Sequence, residues 1–144
     1  MEVIPAAING ARGESRKLMK LLFLKLEGLR GPSFAPRHIG DFEVRTYTFS
    51  RQPMRRAGPA TLVDAMDNYL EIQKTTDPST TALKLAWTKE QVFRTGELIQ
   101  EEVSATGHLI RRTVFKMRSV VLDTVSTLQF DTIGLKFESM SVVR

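Results

Sequence analysis

Cysteine is absent from the 144-residue chain, which excludes disulfides and thiolate metal sites and accords with a reducing compartment. Long hydrophobic runs are missing too. The strictly apolar stretch Leu21–Leu24 is bounded by Lys20 and Lys25, whereas a secretory signal needs an apolar core of about seven residues or more and a spanning helix about 20. No export signal and no membrane span are therefore expected. Histidine occurs only at His38 and His108, in no metal-ligand spacing. There is no G-x-x-x-x-G-K-[ST] loop, no G-x-G-x-x-G, no H-E-x-x-H and no nucleophile elbow. Glu101 and Glu102 are adjacent, and neighbours on a helix point apart instead of sharing a substrate. The expectation is a protein without catalytic residues, metal or cofactor, and not an enzyme.

What is present has the size of one compact domain, with 42% hydrophobic and 26% charged residues and a mean hydropathy of −0.17. Wholesale disorder is disfavoured by that balance. The net charge of +5 is unevenly placed. Residues 11–37 carry Arg12, Arg16, Lys17, Lys20, Lys25, Arg30 and Arg37 against Glu14 and Glu27, and the rest of the chain balances at 14 basic and 14 acidic side chains. Positive charge gathered beside leucines suits a segment that meets a polyanion; a surface helix with a solvated basic face is the plainer reading.

In "RKLMKLLFLKLEGLRG", helical spacing puts Leu18, Leu21, Leu22, Leu26 and Leu29 on one stripe, ended by Gly28 and Gly31-Pro32. A strand through Leu22, Leu24 and Leu26 is the alternative. "GPSFAPRHIGD" reads as a linker. "DFEVRTYTFS" alternates Phe42, Val44, Thr46 and Thr48 with Glu43, Arg45, Tyr47 and Phe49, as a strand does. "RQPMRRAGP" is a basic loop. "TLVDAMDNYLEIQ" is expected to be the clearest helix, capped by Thr61 and closed by Asp77-Pro78. "TALKLAWT", residues 81–88, alternates Leu83, Leu85 and Trp87 with Lys84, Ala86 and Thr88 and is expected to be an inner strand.

The acidic stretch over 89–107 is expected to be a short helix or a loop, in which Glu97, Glu101 and Glu102 are either solvated or placed to attract the basic end of a neighbouring copy. In "HLIRRTVFKMRSVVLDTVSTLQF", residues 108–130, Leu109, Ile110, Thr113, Val114 and Met117 fit a helix while the β-branched residues favour a strand; a strand is expected, with Thr113, Phe115, Met117 and Val121 inward and Arg112, Lys116 and Arg118 outward. "IGLKF" is its hairpin partner. These elements predict an α+β fold, a small antiparallel sheet with one or two packed helices and a basic N-terminal segment. Residues 1–38 form that segment and linker, and 39–144 the single α+β domain.

The order of "SRKLMKLLFLKLEGLRG", "FEVRTYTFSRQPMRRAGPATLVDAMDNYLE", "LKLAWTKEQVFRTGELIQEEV" and "IRRTVFKMRSVVLDT" resembles that of the rhabdovirus matrix proteins. The resemblance implies a viral structural protein of the virion, located at the inner face of the envelope and in the host cytoplasm. Such a protein binds an anionic membrane surface, self-associates and condenses the nucleoprotein–RNA. Membrane binding then falls to Arg12, Arg16, Lys17, Lys20, Leu21, Leu22, Lys25 and Arg30. Contacts to RNA or nucleocapsid fall to Arg51, Arg55, Arg56, Arg112, Lys116 and Arg118, and self-association to Glu97, Glu101 and Glu102. The rival reading is a non-enzymatic RNA-binding accessory protein using the same arginines on phosphates.

Overall fold

A computed structural model describes residues 18–53 and 66–144, with the backbone alone at 52, 53, 66 and 67. Its strands are β1 (Met19–Leu26), β2 (Phe42–Val44), β3 (Thr46–Pro53), β4 (Met66–Lys74), β5 (Val92–Val103), β6 (Leu109–Thr127), β7 (Asp131–Phe137) and β8 (Ser139–Val143). A single helix, α1 (Ser79–Thr88), stands among them in the described residues. The molecule is thus mainly antiparallel β, which corrects the expected α+β architecture of a small sheet with packed helices.

The leucine block is a strand. Leu22, Leu24 and Leu26 are buried in the main core, while Phe23 on the opposite face is buried with Ile99 and Val114. Apolar side chains are wanted on both faces because one faces the main core and the other is covered by Ala35 and His38, and a strand covered on both faces reads as a continuous hydrophobic run. The helix expected over 61–73 is corrected from Met66 onward, since residues 61–65 lie outside those described. Leu70, Ile72 and Lys74 point inward, and Tyr69, Glu71 and Gln73 are more exposed, with the period of two that a strand requires.

The converse error falls on 81–88, which is helical. Thr80, Leu83 and Ala86 recur every three residues and make the buried side of α1. The Asp77 carboxylate accepts the Ser79 N–H at 2.8 Å and so supports the helix start. The acidic stretch expected as a helix or loop is mostly β5. It joins β6 through a turn in which the Ser104 N–H donates to the His108 carbonyl at 2.8 Å and Gly107 takes a φ of 88°.

The strand expected within 108–130 is present as β6, as is its hairpin partner in β7. Thr113 and Met117 are buried and Phe115 packs on the core. Inward pointing then passes to Val120 instead of Val121, because Ser119 has a φ of 55° and shifts the phase. On the neighbouring strand Phe93 and Leu98 are both buried, on either side of Gly96, so the sheet turns a corner along one line.

The strand order is β2-β1-β5-β6-β7-β4-β3, with β8 added beside β6. Its two ends are consecutive in the chain. Val44 pairs with Leu22 of β1, Thr46 pairs with Gln73 of β4, and the intervening Arg45 N–H donates to the Gln73 carbonyl at 2.7 Å. That step closes the sheet into a barrel. It also reverses the alternation read from the sequence, for Phe42 and Val44 are buried but then Tyr47 and Phe49, not Thr46 and Thr48, pack on the core. α1 lies against β6, with Leu83 and Ala86 in the same core.

Candidate assembly surface

β5 and β6 form a long hairpin flanked by β1 on one side and β8 on the other. β8 follows β7 after a break at Glu138, whose N–H donates to the Arg118 carbonyl at 2.9 Å. All five β8 residues are exposed, among them the apolar Met140, Val142 and Val143. Among the described residues β8 pairs only with β6, and Met19–Leu21 of β1 only with β5. The four-stranded wing therefore ends in two strand edges whose outward backbone groups have no partner strand there. Unpaired edges of this kind are templates for pairing with another chain.

One face of the wing is covered by a strap over residues 30–41. Its two ends are tied by Gly31 N–H to the Gly40 carbonyl at 2.7 Å and Ser33 N–H to the Asp41 carbonyl at 3.0 Å. The strap lays His38 flat on Phe23, ring centroids 3.8 Å apart. Buried His38 places Nδ1 3.1 Å from Asp41 and Nε2 2.9 Å from Glu101. Arg37 donates to Glu101 at 3.0 Å, and the Arg112 guanidinium is 3.7 Å from it. The other face opens at the barrel mouth as a groove of about 720 Å³ lined by Tyr47, Gln100, Arg111, Phe115 and Arg144.

The residues expected to touch a membrane are dispersed. Lys20 and Lys25 are exposed on opposite faces of β1, Leu21 is half-buried, Leu22 is sealed in the barrel, and Arg30 lies over Gly40; Arg12, Arg16 and Lys17 lie outside the described residues. Of the expected RNA contacts, Arg51 lines a groove with Phe137 and Met140. Lys116 and Arg118 are exposed on β6 opposite Glu97 and Thr95, and Arg112 is drawn to Glu101. Arg55 and Arg56 are outside the described residues. Glu97 is half-buried, Glu102 stands 3.9 Å from Arg111, and Glu101 is fully buried. Sequence reading missed β8, a five-residue stretch too short to stand out, and His38, whose place in a Gly/Pro-rich loop gave no sign of burial.

Three carboxyl groups are held below their ordinary values. Burial pushes Glu101 up, but hydrogen bonds from Arg37 and His38 outweigh it. Burial likewise raises Asp131 and Asp77, and is outweighed at Asp131 by Thr80, Thr76 and Lys74 and at Asp77 by Ser79 and Lys74. A carboxyl depressed in the folded state stabilises it above the ordinary pKa of about 4, and that contribution is lost as pH falls through the folded value. The melting temperature is expected to stay level from about pH 6 to 5 and to fall progressively below about pH 4. Melting curves across that range check this, and a flat profile down to about pH 2 contradicts it.

No protein-family model matches the chain, and no curated protein matches its sequence. Solved structures do match. Hcp1 from Salmonella typhimurium superposes with a TM-score of 0.67 at 14% identity, over 85% of this chain and 85% of that one. Hcp1 from E. coli EAEC 042 gives 0.63 at 16%, over 86% and 96%, and a type six secretion system protein gives 0.58 at 18%, over 86% and 82%. These findings correct the rhabdovirus resemblance. With it go the viral matrix role, the anionic-membrane and nucleoprotein–RNA partners, the virion location and the rival RNA-binding reading. At these identities the likeness is one of fold, and the chain has the β-barrel fold of the Hcp proteins.

Proposed function

We propose that this chain is a non-catalytic structural subunit of a type VI secretion-type tube, acting by joining copies of itself edge to edge. The fold likeness to Hcp proteins supports the reading, and the observation that carries it is the wing with two open edges. β1 and β6 run one way and β5 and β8 the other, so β8 of one copy meets β1 of the next as an antiparallel pair, the sense already used throughout the sheet. A contact between two different edges is head-to-tail, and such contacts close into rings when the rotation allows. Self-association is thereby assigned to Ser139–Val143 and Met19–Leu21, with Glu101 engaged inside its own copy.

Sedimentation velocity on the full chain tests this against a chain ending at Glu138. The full chain is expected to form a discrete oligomer as concentration rises, and the shortened one to associate at least about tenfold more weakly, about 1.4 kcal/mol, with its circular dichroism unchanged. Equal association of the two, or a full chain that stays monomeric, refutes the proposal.

A further inference from the structure

The strap over residues 30–41 is held to the wing by a histidine that faces a carboxylate from each ring nitrogen. Nδ1 is 3.1 Å from Asp41 and Nε2 is 2.9 Å from Glu101, and all three side chains are buried. A neutral imidazole donates from one nitrogen only, and the imidazolium from both. Loss of the proton therefore sets a ring lone pair against a buried carboxylate on one side or the other. Glu101 keeps two guanidiniums, Arg37 at 3.0 Å and Arg112 at 3.7 Å. Among the described residues His38 is the side-chain partner shown for Asp41. The remaining proton is retained toward Asp41, and the broken bond is the one to Glu101, which ties the strap to β5.

We infer that the strap is a proton-operated latch: the His38 imidazolium bolts it to β5, and deprotonation frees it to uncover the apolar pocket of Phe23, Ile99 and Val114. The charged groups around His38 are Arg37 and Asp41 from the strap, Glu101 from β5 and Arg112 from β6. β1 presents the apolar Phe23 ring, with Glu43 of β2 exposed beside it. With the imidazolium this set carries one net positive charge before Glu43 is counted, and that charge vanishes with the proton. The Arg37–Glu101 pair remains as a tether, but Arg37 is half in water and such contacts are screened. Ala35 packs on the same pocket and the His38 ring stacks on Phe23, so the strap covers it with one methyl group and one imidazole face. The inference does not depend on self-association.

The test uses the full chain and its second histidine, exposed His108, as an internal control. Imidazole NMR shifts locate the titrations of His38 and His108. Amide-exchange protection factors are followed at Ser33, Gly40 and Asp41, whose N–H groups close the strap's turns. Protection is expected to fall at least about tenfold across the titration of His38, the scale of one charge-assisted hydrogen bond, and to show no step at that of His108. In His38→Gln, which bears no charge at any pH, the step is expected to vanish. A protection profile with no step, one that follows His108, or one that persists in His38→Gln overturns the inference. If His38→Gln does not fold, the comparison of the two midpoints in the native chain decides it.

Discussion

Asp131→Ala is expected to destabilise the fold by about 3–5 kcal/mol and to lower the melting temperature by roughly 10–15 °C. The reason lies in Lys74, which is 1% exposed at the inward end of β4. Its ammonium is 3.2 Å from Asp131, which is fully buried, and 3.2 Å from Asp77, which is partly in water. It also donates to the Thr75 carbonyl at 3.0 Å and to Thr80 at 3.3 Å. Asp131 in turn accepts from the Thr76 hydroxyl at 2.7 Å and from that of Thr80. One buried ion pair thus joins β4, the turn after it, the first turn of α1 and the start of β7. Removing the carboxylate leaves a buried cation whose one remaining carboxylate, Asp77, is partly in water, and strips an acceptor from two threonines.

Replacing both charges together, as in Lys74→Met with Asp131→Leu, is expected to recover most of the loss, because an apolar pair carries no desolvation penalty. Thermal and urea unfolding of the single and double variants measure the coupling. A single-variant cost below about 1 kcal/mol, the level of a surface pair, shows that the cluster does not anchor the helix.

Gly31→Ala is expected to cost about 3 kcal/mol, and Gly28→Ala, three residues earlier, only about 1 kcal/mol. A Cβ on Gly31 lies 2.5 Å from the Asp41 carbonyl oxygen and 2.8 Å from Phe42 Cδ1. The first of these is main chain and cannot swing away. Relief requires moving the Gly31–Gly40 and Ser33–Asp41 hydrogen bonds and with them the base of the strap. Gly28 has open space around it and its only demand is a φ of 88°. Urea unfolding midpoints of the two variants separate steric approach from conformational preference; equal costs contradict the close packing of the strap on β2.

The period-two reading was sound wherever one face of a strand met the core and the other met water. Residues 42–44, the first half of β6 and β7 were legible for that reason. It failed where tertiary surroundings changed what each face required. Leu21 to Leu24 looked like a helical stripe because β1 is covered on both faces, by the main core and by the strap. Leu83, Leu85 and Trp87 looked like a strand because a ten-residue helix with a narrow buried side also shows apolar residues at every second place. Glu101 looked solvent-facing and His38 gave no sign of burial, and only the strap, crossing from residue 30 to 41, brings them together under cover.

From sequence alone follow the lack of disulfides, the uneven charge along the chain and the strand propensity of the stretches that became β6 and β7, since these depend on composition and on neighbours a few residues apart. Barrel closure at Arg45, the edges of β1 and β8 that have no partner strand among the described residues, and the burial of Lys74, Glu101 and His38 belong to the tertiary structure. Each rests on contacts between residues far apart in the chain, where local periodicity carries no information.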